Sequence, residues 1–510
     1  MKTKLIRLLL CLLVATLFCP LLAACSGNKG NENSSDATTE ASGTSESGEV
    51  TSDESYRDDI PDTLRFEGDT VTFVSRSYDW YKKELTLDAE NAEDIIDDAV
   101  VARRNKVEHR LGLLIENTML DGSGTAGYTV VINAMRSDKM ADSHLYDIAV
   151  NNMYHTMEVV SEGLFANLKE VPHMNLSKGY YSQNYNEQAT VNNVLYSTTG
   201  DASLSFIRFA FVTFFNKQVQ KNYNIPDLYD AVENKEWTID YQINLCKDLY
   251  ADLDQDGVRS NGDLYGFATN NVTGVDPYTS AFGMQMVGRT DEGKLTSVVD
   301  GNVERFTNIL TKIIDFYALD GVNVLAHQSD DGEWTTAETM LAEDRVLFTT
   351  LRLGAVEDFT IRNMEHDYGI IPMPLWDESQ EQYYSYCHDL FSVFCVSKGI
   401  AADHLEAVGA TMEVFFSESQ PCRETLFEVA LKVKYQRSEE ASRMLDIVID
   451  NVNIDAGWIY AGALVDFAQF VRKSVQNGTK NFNGYWRMNG NGFKTALDNL
   501  QTQFDAATAA

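Results

Sequence analysis

The chain contains few of the residue patterns that build catalytic or structural metal sites. Only seven of its 510 residues are cysteine and eight are histidine. None of the cysteines forms a CxxC pair or stands at a zinc-ligand spacing. The sequence has no G-x-S-x-G, no H-E-x-x-H, no Walker loop and no Rossmann glycine fingerprint. These absences exclude a disulfide-rich scaffold and give no support to the common hydrolases, zinc proteases and nucleotide-binding enzymes.

The cysteine of the C-H-D sequence at Cys387 is a poor candidate nucleophile. Its neighbours His388 and Asp389 are directly adjacent, and adjacent residues of a strand point to opposite faces. Cys387 and Cys395 could form a disulfide if they are close, although two buried thiols are the favoured interpretation. Both alternatives stay open on the sequence.

Positive charge is also scarce. Lys and Arg number 41 against 76 Asp and Glu, which gives a net charge of −35. Such a chain repels nucleic acid and anionic lipid headgroups. We therefore expect no nucleic-acid partner and no role in reading phosphate groups.

The first 24 residues have the composition of a secretory signal. Lys2, Lys4 and Arg7 surround the start of an apolar run at Leu5, and small residues follow at the predicted cleavage site. The run is too short for a confident membrane-spanning helix, and Pro20 interrupts it.

The sequence Leu22-Ala23-Ala24-Cys25 resembles a bacterial lipobox. The resemblance implies cleavage before Cys25 and lipidation of that cysteine, which anchors the protein on the outer side of the cytoplasmic membrane. A plain secretory signal with a chance cysteine is the alternative. Residues 25–59 are predicted to be the lipidated cysteine and a disordered tether, because Ser, Thr, Glu, Asp, Gly and Asn dominate and almost nothing can be buried. A coil of this length reaches roughly 30 Å.

The remaining chain alternates short apolar runs with helical patterns. Strands are predicted at 71–74, 113–115 and 147–150, with helices at 91–111 and 128–139 between them. A further helix is predicted at 303–317. This order predicts an α/β body with a largely parallel sheet, in which ligands lie beyond the carboxyl ends of the strands.

The order of six segments resembles the family-1 extracellular solute-binding lipoproteins of ABC importers, which are related to maltose-binding protein. The segments are G-L-F-A-N-L from Gly163, the aromatic run into Asn216-Lys217, W-T at Trp237, A-E-D-R-V-L-F from Ala342, Y-G-I-I-P-M-P from Tyr368 and F-S-V-F-C-V-S-K from Phe391. The resemblance implies a two-lobe periplasmic-binding-protein type II fold with the ligand cleft between the lobes. It places lobe 1 at 60–199 and 346–405, and lobe 2 at 200–345 and 406–510, with hinges near Gly200 and Arg345.

A twelve-residue acidic loop has the ligand spacing of an EF-hand-type calcium site. Carboxylates stand at positions 1, 3, 5 and 12, with glycine at 6. The predicted ligands of a structural Ca²⁺ are Asp252, Asp254, Asp256, the Val258 carbonyl, Ser260 and Asp263. Asp263 replaces the usual glutamate, which predicts weaker coordination. The alternative is a solvated acidic turn.

Aromatic and amide residues at predicted loops and element ends are candidates for carbohydrate recognition. Aromatic rings cover the apolar faces of a sugar, while Asp, Asn and Arg bind its hydroxyls. The candidates, most of which match ligand loops through the resemblance, are Tyr78, Asp79, Trp80, Asn151, Asn152, Asn270, Asn271, Tyr278, Arg352, Tyr386, His388, Asp455 and Trp458. Core packing is the alternative for each aromatic, a turn for each asparagine, and an ion pair for Arg352.

These observations predict a monomeric, non-enzymatic lipoprotein that captures a carbohydrate, favouring an oligosaccharide, for the membrane subunits of an ABC importer. A surface glycoside hydrolase or a glycan-binding adhesion module is the alternative. Amino acids and peptides remain possible solutes.

Overall fold

The computed structural model describes residues 54–77, 84, 85, 87–325, 336–432 and 439–509. The predicted signal, the lipobox and the Tyr78–Trp80 loop lie outside these residues. Within the described part of the chain, no helix combines the length and the apolar character needed to cross a bilayer.

The body is built from short strands and helices of mixed length. The strands are β1 (Thr70–Ser77), β2 (Leu114–Asp121), β3 (Ile148–Asn152), β4 (Phe211–Asn216), β5 (Tyr250–Ala251), β6 (Leu264–Asn270), β7 (Val287–Arg289), β8 (Leu295–Ser297), β9 (Val322–Leu325), β10 (Val346–Arg352), β11 (Tyr368–Ile371) and β12 (Ser392–Val396). The α-helices are α1 (Ile95–Leu111), α2 (Val130–Ala141), α3 (Met153–Met157), α4 (Gln183–Ala189), α5 (Leu204–Arg208), α6 (Lys217–Asn222), α7 (Leu228–Glu233), α8 (Ile239–Cys246), α9 (Pro277–Ala281), α10 (Val303–Tyr317), α11 (Thr336–Ala342), α12 (Phe359–Arg362), α13 (Ala402–Ser417), α14 (Gln420–Lys432), α15 (Glu439–Asp450), α16 (Ala456–Ile459), α17 (Phe470–Asn477) and α18 (Phe482–Ala509).

The first sheet has the strand order β12-β3-β1-β2. Strand β1 is parallel to β2 and β3, and β12 closes the sheet antiparallel to β3. Asp94 caps the start of helix α1, because its carboxylate accepts hydrogen bonds from the main-chain N–H groups of Ile96 and Asp97. The helix is followed by Gly112, whose φ of 71° suits the left-handed position after a helix.

The second sheet has the order β11-β4-β10-β6-β5, with β9 paired to β6. Strands β6, β9 and β10 run parallel to one another, whereas β4, β5 and β11 pair antiparallel. The prediction of a largely parallel sheet is therefore confirmed for three strands of the first sheet but wrong for the second, which is mixed.

Two predicted lobe borders are wrong. Strand β10 pairs with β4 and β6, so residues 346–371 belong to the second sheet. Helix α13 packs against α1 and β1, so the chain remains with the first sheet beyond residue 406. The sequence of a buried apolar strand does not indicate which sheet the strand joins. The predicted border near Arg345 is wrong for this reason. The chain returns to the first sheet between β11 and β12.

The chain crosses from the first sheet to the second between β3 and β4 and returns between β11 and β12. Hydrogen bonds around a buried carboxylate join these first and second crossovers. Glu84 accepts hydrogen bonds from the hydroxyls of Ser205 (2.8 Å) and Ser392 (2.7 Å). The Ser205 hydroxyl in turn accepts the Ser392 main-chain N–H at 2.9 Å, and Thr199 donates to the Ser392 carbonyl at 3.0 Å. The segment before β12 is thus tied to the start of the second sheet.

Residues 54–59 bind the first lobe, so the prediction of a disordered tether as far as residue 59 is wrong for these residues. Asp58 accepts two hydrogen bonds of 2.6 Å from Arg110 on α1 and one of 2.8 Å from Ser417 on α13. Asp59 pairs with Lys178 at 2.8 Å. This N-terminal strap was missed because its composition continues that of the polar segment before it.

Candidate functional site

The two asparagines at the end of β3 position aromatic side chains. Asn152 is fully buried and caps α3 by accepting the His155 main-chain N–H at 3.0 Å. Its amide donates to the Tyr128 carbonyl at 3.0 Å. Asn151 is also buried and bonded within the protein. The prediction that Asn151 and Asn152 contact ligand directly is therefore not supported by their geometry.

The residues that these asparagines hold form an aromatic surface that the sequence did not indicate. The half-buried rings of Tyr128 and His155 stack with centroids 5.4 Å apart, and the Arg76 guanidinium lies 5.3 Å from the centre of the Tyr128 ring. Burial, with a smaller effect of Arg76, lowers the pKa of His155 to about 4. The imidazole is thus a neutral stacking partner at physiological pH.

Three other predicted ligand residues belong to the core. Tyr278 is fully buried in α9. Trp458 is 1% exposed, packs against Tyr386 with ring centroids 5.1 Å apart and donates to the Thr279 hydroxyl at 3.3 Å. Asp455 is the N-cap of α16, accepting the Gly457 N–H at 2.8 Å. For Tyr278 and Trp458 the structure supports the alternative of core packing, whereas the capping role of Asp455 was not among the alternatives.

The remaining candidates lie half-buried at the carboxyl ends of two strands of the second sheet. Asn270 is the last residue of β6 and accepts the main-chain N–H groups of Val272 and Gly274, so it builds a turn. Asn271 follows it in that turn. Arg352 ends β10, and its guanidinium lies 5.1 Å from the centre of the Phe209 ring. Of the three, Arg352 presents a charged group toward the second crossover.

A cluster of charged and phenolic groups lies at the junction of the two sheets. We name it the interlobe polar cluster, and its members are Tyr154, Asp276, Tyr386, Asp389, Asp466 and Arg472. Tyr154 on α3 donates to an Asp466 carboxylate oxygen at 2.9 Å. Arg472 binds Asp276 through two hydrogen bonds, the one from Nε being 3.1 Å long. In the sequence, Tyr154 and Asp276 precede the second crossover. Tyr386 and Asp389 lie within it, and Asp466 and Arg472 follow it.

Asp389 is the least compensated carboxylate of this cluster. Its side chain is 14% exposed, and Nδ1 of His388 lies 3.4 Å from its carboxylate. Burial, opposed by Arg472, and the neighbouring carboxylates of Asp276 and Asp466 raise the pKa of Asp389 to about 7. Burial, helped by nearby guanidinium groups, lowers the pKa of His388 well below its ordinary value. The pair therefore holds no positive charge.

The sequence marked only part of this cluster. His388 and Tyr386 were among the candidates, and Asp389 was noted beside them. Asp276 lies inside the segment between two predicted ligand residues. Asp466 and Arg472 gave no recognisable pattern, because their partners are distant in the sequence.

The acidic loop from Asp252 folds as the spacing predicts at its first positions. The carboxylates of Asp252, Asp254 and Asp256 place oxygens within 4.8 Å of one another. Gly257 has a φ of 73° and donates to Asp252 at 2.9 Å. Asp263 departs from the prediction, because its buried carboxylate accepts the Ser260 N–H at 2.8 Å and does not join the group of three.

The four described cysteines beyond the signal are buried thiols. They are Cys246, Cys387, Cys395 and Cys422. Cys387 and Cys395 are therefore two separate buried thiols and do not form a disulfide with each other.

Asp455→Asn is expected to flatten the dependence of stability on pH. Burial raises the pKa of Asp455 from 3.8 to about 7, against the three main-chain N–H groups that it accepts. The folded chain therefore holds a proton that the unfolded chain releases, so stability falls as pH rises from about 4 to about 7, by up to about 1.4 kcal/mol per pH unit. Asparagine keeps the capping oxygen and cannot titrate.

Urea unfolding at pH 5, 6, 7 and 8 measures this slope. The control is Asp142→Asn, at a side chain that is 90% exposed, which should leave the slope unchanged. A variant at position 455 with the wild-type slope and lower stability at pH 8 would show that the buried carboxylate is ionised and stabilising.

Comparison with solved structures places the fold among known proteins. The chain is similar to the cyclic alpha-maltosyl-1,6-maltose binding protein from Arthrobacter globiformis, with 13% sequence identity and a TM-score of 0.53 over 84% of this chain and 99% of that one. It is also similar to a family 1 extracellular solute-binding protein from Bifidobacterium longum subsp. infantis, with 12% identity and a TM-score of 0.51 over 86% and 100% of the two chains. A cyclo/maltodextrin-binding protein complexed with maltotetraose gives 12% identity and a TM-score of 0.52 over 87% and 98%.

No family model and no curated protein sequence matches the chain. Identities this low establish a fold and leave the ligand open. The predicted fold class is confirmed: the chain has the two-lobe, type II periplasmic-binding-protein fold of the family-1 extracellular solute-binding proteins.

Proposed function

We propose that this protein is a monomeric extracellular solute-binding protein that captures a carbohydrate, favouring an oligosaccharide, and delivers it to an ABC importer. The observation that carries the proposal is the interlobe polar cluster, which lies at the junction of two lobes in a fold used for binding. Proteins of the same fold bind cyclic maltosyl-maltose and maltotetraose, as their names state. No catalytic role is assigned to any residue.

The chemistry of the site suits a sugar. The stacked rings of Tyr128 and His155 offer an apolar face, and sugars present C–H faces to such rings. Asp389, Asp466 and Arg352 offer charged hydrogen-bonding groups for hydroxyls. The loop Tyr78–Trp80 follows β1, the neighbour of β3, and stays a predicted part of the site.

Anchoring through a lipidated Cys25 belongs to the same proposal. The lipobox resemblance and the polar segment after it support a tether.

A thermal-shift screen tests the proposal. Purified full-length protein in detergent is heated with mono- and oligosaccharides, amino acids or peptides, and a ligand that binds only the folded state raises the Tm. We expect a shift with one glycan class and no breakdown of that glycan. Asp466→Ala should weaken binding about tenfold or more, while Asp142→Ala should not. Product release would instead show an enzyme, and shifts with peptides alone would overturn the carbohydrate assignment.

We also propose that the loop from Asp252 to Ser260 binds Ca²⁺ as a structural ion. Three convergent carboxylates and the exposed Val258 segment supply oxygen ligands of the kind that Ca²⁺ takes. Without a cation the three charges repel one another, so an ion at this place would stabilise the turn before β6.

Calcium is expected to raise the Tm of the wild-type protein but not of Asp254→Ala. At a concentration 100 times the Kd, the stabilisation amounts to about 2.7 kcal/mol. Asp291→Ala, at another exposed acid, is the matched control and should keep the full shift. Equal Tm values with calcium and with chelator, and no bound ion by mass spectrometry, would make the loop a solvated acidic turn.

A further inference from the structure

We propose that His155 is a specificity-determining residue of the carbohydrate site, and that its Nε2 atom accepts a hydrogen bond from a ligand hydroxyl. The inference rests on the proposed function and names one contact within that site. Its basis is the hydrogen-bond network of the neighbouring Asn152, which determines the imidazole nitrogen that carries the proton.

The orientation of the Asn152 side-chain amide is determined by its hydrogen bonds. Its Nδ2 donates to the Tyr128 carbonyl at 3.0 Å and to Oδ1 of Asn151 at 3.2 Å. Its Oδ1 accepts the His155 main-chain N–H at 3.0 Å. Turning the amide over would place its NH₂ group against a main-chain N–H and its oxygen against a carbonyl oxygen. Only one orientation therefore satisfies these partners.

This orientation determines the tautomer of His155. Nδ1 of the imidazole lies 2.8 Å from Oδ1 of Asn152, and an amide oxygen can only accept a hydrogen bond. Nδ1 therefore carries the proton and donates it. Because the imidazole is neutral at physiological pH, Nε2 has no proton and presents a lone pair.

Nε2 is the polar atom of the imidazole that stays available to a ligand. The Tyr128 ring stacks on the imidazole with the two planes 6° apart. The Tyr154 ring packs beside it at an angle of 73°, with centroids 4.9 Å apart. The His155 side chain is half-buried, but Nε2 is not a buried atom, and it makes no hydrogen bond to the residues that the structure describes. The protein thus leaves an unpaired acceptor at this place.

The position of His155 in the fold is one where ligands bind. Its helix α3 begins directly after the carboxyl end of β3, and ligands of α/β sheets lie beyond such ends. Arg76, near the carboxyl end of the neighbouring strand β1, lies against the Tyr128 ring. A nitrogen that has a lone pair and no proton accepts from a hydroxyl and repels an ether or carbonyl oxygen. His155 therefore selects a sugar with a free hydroxyl at this position.

The test uses diethyl pyrocarbonate, which reacts with accessible imidazole nitrogens that carry no proton, on full-length protein in detergent at neutral pH. Peptide mass spectrometry measures each modification. His155 should react, as should His144, whose side chain is 54% exposed, whereas His388, at 12%, should not. Maltotetraose, isomaltotetraose or cellotetraose, at about ten times its Kd, should slow the reaction of His155 about tenfold. The reaction of His144 should stay unchanged.

Nitrogen-15 NMR of protein with labelled histidine should show the proton of His155 on Nδ1. His155→Phe keeps a ring beside Tyr128 and removes Nε2, so it should weaken binding of the protecting glycan about tenfold. His144→Phe should bind it as wild type does.

A glycan that raises the Tm without protecting His155 would overturn the inference and leave carbohydrate capture standing. The same holds for a proton on Nε2, for no reaction of His155 in the free protein, and for wild-type affinity in His155→Phe. If none of the three glycans raises the Tm or protects His155, the inference and the carbohydrate proposal are both overturned.

Discussion

Trp458→Ala is expected to lower the free energy of unfolding by about 3–5 kcal/mol. The indole is 1% exposed, packs on the Tyr386 ring and donates to Thr279 on α9. Its removal leaves a cavity between α16 and the second crossover and takes one donor from the Thr279 hydroxyl, which keeps its own hydrogen bond of 2.7 Å to the Asp276 carbonyl. Urea unfolding followed by circular dichroism measures the loss.

Trp458→Phe is the matched control, because it keeps a ring against Tyr386 and loses only the N–H donor and part of the volume. It should cost clearly less than alanine. If Trp458→Ala kept wild-type stability and weakened ligand binding, the residue would be a ligand contact, as the sequence predicted.

Arg472→Met is expected to destabilise the fold by about 3–5 kcal/mol. Asp276 is 1% exposed, and both of its carboxylate oxygens accept hydrogen bonds from Arg472. Methionine retains most of the apolar stem but leaves the buried aspartate without its counter-charge. The loss should show as a lower urea midpoint at pH 7.

The double variant Asp276→Asn with Arg472→Met separates the ion pair from the packing. Removing both charges should recover most of the stability that Arg472→Met loses, because the uncompensated carboxylate is gone. Additive losses in the double variant would mean that the two side chains act independently, and the pair would then not explain the effect of the single change.

Local features of the fold could be predicted because their causes lie within a few residues. The helix predicted at 303–317 is α10, with the same bounds. Thr238 is of a residue type that caps helices, and it accepts the Tyr241 main-chain N–H at 3.2 Å at the start of α8. Gly112 ends α1, as its lack of a side chain allows.

The candidate site was less predictable because its members meet only through the tertiary fold. An aromatic residue near a turn, such as Trp458 or Tyr278, does not show in sequence whether another element covers it. Asp276 and Arg472 are 196 residues apart, and neither has a local pattern that indicates a buried pair. Sequence spacing alone could not locate them together.

The pairing of β12 with β3 has a consequence for how the chain folds as it is made. Val393 pairs with Asn151, and every strand of the second sheet lies between those two residues in the sequence. Until β12 emerges, β3 therefore has an open edge, which is the kind of edge that pairs with foreign strands. The second lobe can complete its sheet first, although the strands of the first lobe begin to be synthesised earlier. The edge of β3 therefore stays unpaired during synthesis until β12, the last strand of the first sheet, has been made.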